Sequence, residues 1–233
     1  MTEPVVYDAP ASPFVTVAGE GGDGGGRDGG GVNGHDTSNY RKHTSGNPLQ
    51  RVLIGRFHRA IAERVAALEP TSFLDAGCGE GFVARILLGR LPGLALAGCD
   101  LSPAAATLAA AKNPGADFAA ANLLALPFAD DAFDVVGCFE VLEHLPDDAP
   151  ERALRELGRV ARRAVVLSVP HEPGFSLANA ARGKNLDIRP RGSDPDHRQF
   201  WSRRAFGATV GGALDVVWLG GSFPWTICVA APK

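Results

Sequence analysis

From Pro48 onward, LQRVLIGRFHRAIAERVAALEP places apolar residues at Leu53, Phe57, Ile61, Val65 and Leu68, a helical repeat closed by Pro70. The rhythm then changes. Short continuous apolar runs, SFLDAG (72–77), LALAGCD (94–100), ADFAAA (116–121), FDVVGCF (133–139) and AVVLSVP (164–170), read as buried strands. Between them GFVARILLGRL (81–91) and SPAAATLAAAK (102–112) read as helices. Another helix follows a cap at Asp147 or Asp148, with Pro150 in its first turn and Leu154, Leu157 and Val160 on one face. Continuous strands alternating with amphipathic helices predict a mostly parallel sheet covered on both sides. The ending differs. After a polar insertion comes a helix near Ser202–Gly211, then DVVWLG (215–220) and FPWTICVAA (223–231), separated only by Gly221 and Ser222. So short a connection demands an antiparallel pair. The predicted fold is α/β, a doubly wound seven-stranded sheet with a terminal antiparallel strand.

Composition fixes the boundaries of this domain. Residues 19–34 carry ten glycines in sixteen positions, too few apolar groups to offset chain entropy, so residues 1–38 are expected to be a flexible tail. One domain is expected over 39–233, with 171–200 as an insertion capping the substrate. The 233 residues are 45% hydrophobic and 21% charged, with a net charge of −3, which lacks the basic footprint of a general nucleic-acid binder. Cys78, Cys99, Cys138 and Cys228 form no C-x-x-C pair, a pattern that fits reduced thiols in a cytoplasmic enzyme. The expectation is a soluble cytoplasmic protein, since no run reaches membrane-span length and no signal-peptide core precedes the domain.

Asp75-Ala76-Gly77-Cys78-Gly79-Glu80-Gly81 joins the first predicted strand to a helix, and Asp100 ends the second strand. Glycines at such a turn admit close backbone approach to a ligand, and an acid one strand over can accept from both ribose hydroxyls. A dinucleotide fingerprint would need a third glycine at position 82, where Phe82 stands. The spacing resembles motif I of class I S-adenosylmethionine-dependent methyltransferases, over roughly residues 70–233. The resemblance implies a Rossmann-like fold and S-adenosylmethionine as cofactor. It assigns cofactor contacts to Asp75, Gly77, Gly79, Gly81, Asp100, Leu101, Asn122, Leu123 and Phe139, with Tyr40 as an aromatic contact from a lid. Asn122 stands where such enzymes often carry Asp, and its amide oxygen is expected to accept from the adenine amino group.

CFEVLEHLPD (138–147) follows the fourth strand and holds Glu140, Glu143 and His144 at i, i+3 and i+4, one face of a helical turn. This E-x-x-E-H spacing resembles the ubiquinone-pathway O-methyltransferases and the small-RNA terminal 2′-O-methyltransferases. In the latter a second histidine completes a metal site, and His197 in DHRQFWS is the candidate. Two readings stay open. In one, Glu140, Glu143, His144 and His197 hold a divalent ion such as Mg²⁺ that activates the acceptor hydroxyl. In the other no metal binds, Glu143 pairs locally, and His144 lines the acceptor pocket or acts as general base.

The stretch 168–204 carries Arg182, Lys184, Arg189, Arg191, Arg198, Arg203 and Arg204 against Glu172, Asp187, Asp194 and Asp196. That excess suits an anionic acceptor; a solvated surface with local ion pairs accounts for it equally. The expected activity is O-methylation of a small-molecule, lipid-like or glycan-like acceptor. The alternatives are C-methylation, metal-assisted RNA 2′-O-methylation, and a cofactor-binding regulator without catalysis. The absence of an N/D-P-P-Y/F sequence after the fourth strand disfavours exocyclic-amine methylation.

Overall fold

The computed structural model describes residues 48–181, 183, 185–188 and 192–233. The described residues open with α1 (Pro48–Ala66), whose Phe57, Ile61 and Val65 are buried as their spacing predicts. There follow β1 (Ser72–Ala76), α2 (Phe82–Arg90), β2 (Ala95–Asp100), α3 (Pro103–Lys112), β3 (Asp117–Ala120) and β4 (Phe133–Phe139). A single 3₁₀ turn, Leu142–His144, leads to α4 (Ala149–Val160), β5 (Ala161–Pro170), α5 (Gly174–Ala180), α6 (Arg203–Ala213), β6 (Asp215–Ser222) and β7 (Trp225–Ala231). The predicted tail and Tyr40 lie outside the described residues.

Seven strands form one sheet in the order β3-β2-β1-β4-β5-β7-β6. β1 to β5 run parallel, and β7 runs antiparallel to both β5 and β6. The apolar runs are continuous because both faces are covered. Leu74, Val136 and Val165 pack with Leu154, Leu157 and Phe206, beneath α4 and α6. Their neighbours Phe73, Val135 and Val166 pack on the other face with Phe57 and Ile61 of α1. Leu157 is fully buried, so its truncation to Ala costs about 2–5 kcal/mol.

Two local expectations change. The β6–β7 turn is not at Gly221-Ser222 but at Phe223-Pro224, two residues on. The glycines are strand residues pressed by neighbours: a Cβ on Gly220 would lie 2.2 Å from the Trp218 ring, and one on Gly221 would lie 2.3 Å from the Trp225 carbonyl oxygen. Asp148 flanks α4, yet its side chain makes no capping hydrogen bond, and Pro150 occupies the first turn.

The insertion is a closed excursion. The Glu172 N–H donates to the Trp201 carbonyl at 2.9 Å, tying its two ends together over the carboxyl ends of the strands. Strand order reverses between β1 and β4, which opens a crevice at that same end. Among the described residues, no helix is long and apolar enough to cross a membrane.

Candidate functional site

The chain after β1 turns through three residues of positive φ, Gly77 (81°), Gly79 (50°) and Gly81 (76°). Side chains are excluded here by crowding as well as by backbone conformation. A Cβ on Gly77 would lie 2.4 Å from Val141, and one on Gly81 would lie 2.4 Å from the Asn113 amide nitrogen. The loop amides are committed inside the protein. Gly77 and Cys78 donate to the Cys99 carbonyl at 2.7 and 2.9 Å, and Gly81 donates to the Cys78 carbonyl at 2.9 Å. A phosphate cradle keeps such N–H groups for its ligand, so this loop is not built for a diphosphate.

Asp100 receives the Gly79 N–H on one oxygen and the Ser102 N–H on the other, both at 2.9 Å. Each oxygen keeps a further lone pair for a ribose hydroxyl. Leu101 beside it is 75% exposed, an uncovered apolar platform. Asn122 and Leu123 follow β3 in a tight turn, where the Asn122 side-chain oxygen accepts from Leu124 N–H at 2.9 Å and is half used locally. Asp75 is buried, and its Oδ2 has no hydrogen-bond partner. Burial, then the negative Asp100, push its carboxyl up to about 7 against a lowering hydrogen bond from the Ala84 backbone. Asp75, Gly77, Phe139 and Glu140 line one cleft with Phe57, His58 and Phe82.

Beyond β4 the four predicted metal ligands separate. Glu140 has φ 59°, a left-handed residue that breaks the helical phase before the 3₁₀ turn begins. Its carboxylate accepts from Ser168 Oγ at 3.1 Å and Trp225 Nε1 at 2.6 Å, which anchors it in that cleft. The expected shared face of Glu140, Glu143 and His144 does not form. Glu143, His144 and His197 do converge: ligand atoms from the three lie within 4.8 Å of one another. The insertion brings His197 there through backbone pairing, with Arg198 and Gln199 N–H donating to the Glu143 carbonyl at 2.8 and 3.0 Å. The two imidazoles meet edge-on, 5.0 Å between centroids.

His144 Nδ1 lies 3.1 Å from the Asp196 carbonyl oxygen. A carbonyl only accepts, so Nδ1 carries the proton and Nε2 keeps its lone pair as a base or ligand. One carboxylate with two imidazoles suits Mn²⁺ or Zn²⁺ better than the oxygen-seeking Mg²⁺.

Sequence reasoning missed His58, Ser168 and Trp225. Trp225 is 85 residues from Glu140 and joins it only through the β5–β7 pairing. His58 had a signal: Ile54, His58, Ile61 and Val65 share a helical stripe, and a polar residue interrupts it.

The family model described as "Methyltransferase domain" matches residues 74–169, which span β1 to β5. A "probable S-adenosylmethionine-dependent methyltransferase" of Mycobacterium tuberculosis is 33% identical over 138 residues, 58% of this chain and 47% of that one. The ubiquinone biosynthesis O-methyltransferase of Alkalilimnicola ehrlichii is 30% identical over 162 residues, 62% of this chain and 64% of its own length. The chain thus spans about half the length of the first of these curated relatives. Magnesium protoporphyrin IX methyltransferase from Synechocystis PCC 6803, solved with S-adenosylhomocysteine, superposes with a TM-score of 0.63 at 19% identity, covering 83% of this chain and 92% of that one. That likeness shows the fold. Residues 74–169, which carry the glycine loop, Asp100 and the turn after β4, therefore form a methyltransferase domain of the S-adenosylmethionine-dependent kind.

Proposed function

We propose that this chain transfers the methyl group of S-adenosylmethionine to a hydroxyl of a small-molecule acceptor in the crevice beside β4. The observation that carries this reading is the His144 ring, whose Nδ1 is committed to the Asp196 carbonyl and whose Nε2 is left basic one turn beyond the cofactor cleft. The cofactor fits the residues present. Asp75 offers a buried oxygen that lacks a partner, and Gly77 leaves open a space that a Cβ would fill.

When bound, S-adenosylmethionine supplies a methyl group already activated for displacement, so the protein's task is chiefly alignment. Asp100 would hold the ribose, Leu101 and Leu123 would flank the adenine, and Phe139 and Phe82 would keep water from the methyl-transfer end. His144 Nε2 would take the acceptor proton as the hydroxyl oxygen bonds the methyl carbon and the methyl–sulfur bond breaks, the sulfur leaving as a neutral thioether. The name of the Alkalilimnicola relative favours an oxygen acceptor. The four buried free thiols support a reducing compartment, the cytoplasm.

Titration calorimetry followed by an acceptor panel tests this. S-adenosylhomocysteine binds and NADH does not, and catechol- or phenol-type hydroxyls are methylated. Binding of NADH alone overturns the reading, and turnover confined to carbon acceptors overturns the hydroxyl assignment.

The convergence of Glu143, His144 and His197 favours a second reading in which these three hold a divalent ion that lowers the acceptor hydroxyl's pKa. Activity lost with EDTA, restored by Mn²⁺ and absent in Glu143→Ala supports it. Full activity in EDTA sinks it.

A further inference from the structure

Two large apolar side chains, Phe223 and Leu177, are 61% and 64% exposed. Phe223 opens the β6–β7 turn. Because β5 and β6 are both antiparallel to β7, that turn falls at the carboxyl ends of the strands, where the crevice opens. The His171 N–H donates to the Pro224 carbonyl at 2.9 Å and ties the turn to the start of the insertion. The Phe223 ring lies over α5: a Cβ on Gly174 would sit 3.1 Å from it. Leu177, three residues further along α5, shares that face of the helix. The two side chains therefore form one apolar spot built from separate elements.

The rim of this spot is cationic. A guanidinium nitrogen of Arg203 lies 3.2 Å from where a Gly221 Cβ would be, two residues before Phe223. Arg203 and Arg204 open α6, and both are exposed. Among the described residues neither arginine has an acidic partner within ion-pair distance. Glu172, the acid that precedes α5, is buried and accepts from the Ser176 hydroxyl at 2.8 Å. Cations in the first turn of a helix also oppose its dipole, and no acid in that turn offsets them. Local ion pairing thus accounts for neither arginine, and helix stability would be better served without them.

We infer that this spot docks on an anionic membrane surface. Phe223 and Leu177 enter the boundary between headgroups and acyl chains, and Arg203 and Arg204 pair with lipid phosphates. The two kinds of contact are needed together, because a small apolar insertion alone holds a protein only weakly. A nucleic acid would use the arginines but leave the aliphatic Leu177 without a partner. Docking here turns the mouth of the crevice to the lipid.

Co-sedimentation of the full chain with vesicles tests this. Vesicles of phosphatidylglycerol and phosphatidylcholine in equal parts bind the chain about 10-fold more tightly than phosphatidylcholine alone, and high salt removes the difference. Arg203→Ala combined with Arg204→Ala lowers affinity for the mixed vesicles about 10-fold. Phe223→Ser combined with Leu177→Ser lowers binding to both vesicle types about 10-fold or more. Unchanged urea midpoints report that these variants fold. Leu177→Ser alone, at an exposed helix position, gives a smaller loss and serves if the double variant unfolds. Equal binding of the unmodified chain to both vesicle types overturns the inference, as does full binding by either double variant. So does a chain that is dimeric until Phe223 and Leu177 are replaced, which makes the face an interface between copies. Retention of a single-stranded RNA but not of vesicles overturns it as well.

Discussion

At the amino ends of the strands, Asp134 accepts from the Thr71 hydroxyl and from the N–H groups of Thr71 and Ser72, and Arg162 reaches it at 2.7 Å. Nearby, Arg159 joins Glu156, Asp130 and the carbonyls of Leu126 and Phe128, each within 3.1 Å. The Thr71 hydroxyl, more than any other partner, holds the Asp134 carboxyl below the usual range, and Arg159 does the same for Glu156. At the carboxyl ends, Asp75 is buried with one oxygen lacking a partner and is pushed up to about 7, and Glu140 stands in a left-handed conformation. One end satisfies its charges. The other leaves a polar atom and a strained backbone waiting, which costs stability and makes sense where a ligand completes the set.

Substitutions at the two ends should therefore fail in different assays. The largest effect is expected for His144→Asn, which lowers kcat about 10²- to 10⁴-fold while binding of S-adenosylhomocysteine and the urea midpoint stay put. A lost midpoint would make His144 structural. Asp134→Ala removes about 2–4 kcal/mol in urea unfolding, because the Thr71 and Ser72 donors lose their acceptor, and leaves the cofactor Kd unchanged. A weakened Kd there would mean that the two ends are coupled. Gly77→Ala is the reverse case. Its positive φ and the Val141 methyl together weaken cofactor binding about 10- to 100-fold, a cost of ~1–3 kcal/mol, with near-native circular dichroism.

The smallest contrast is in pH. The folded Asp75 binds its proton more tightly than the unfolded chain does, so it opposes folding progressively as pH rises from about 4 towards 7. Asp134 does the opposite: its contribution is complete above the unfolded carboxylate pKa and is lost as pH falls below about 4. Stability curves in the absence of cofactor should lose the first slope in Asp75→Asn and the second in Asp134→Asn. If both variants altered the same limb, the contrast between the ends would fail.

The sheet was legible because its central strands β1, β4 and β5 bury both faces, and Phe73-Leu74, Val135-Val136 and Val165-Val166 declare this in adjacent letters. The glycine turn between β1 and α2 was legible because glycine spacing and Asp100 are local signals on either side of one helix. Glu140 was misplaced because helical spacing was assumed through a residue whose φ is 59°. No pattern announces a left-handed glutamate. It is held by Ser168 and Trp225, both remote in sequence. His197 was nominated from its surroundings, but its approach to His144 depends on Arg198 and Gln199 pairing with the Glu143 carbonyl, a long-range backbone contact. The turn at Phe223-Pro224 was misread for a related reason, since glycine marks crowding as readily as it marks a bend.

The four cysteines are free and buried, at Cys78 in the glycine loop and Cys99, Cys138 and Cys228 inside the sheet, and burial keeps all four thiols protonated. A native chain is consequently silent to alkylating reagents until it opens. Cys78 is a clock for the loop alone, because it sits where a ligand would close over it, and the other three report opening of the sheet. Mass-resolved alkylation would therefore time the two events separately in one sample, with no label introduced.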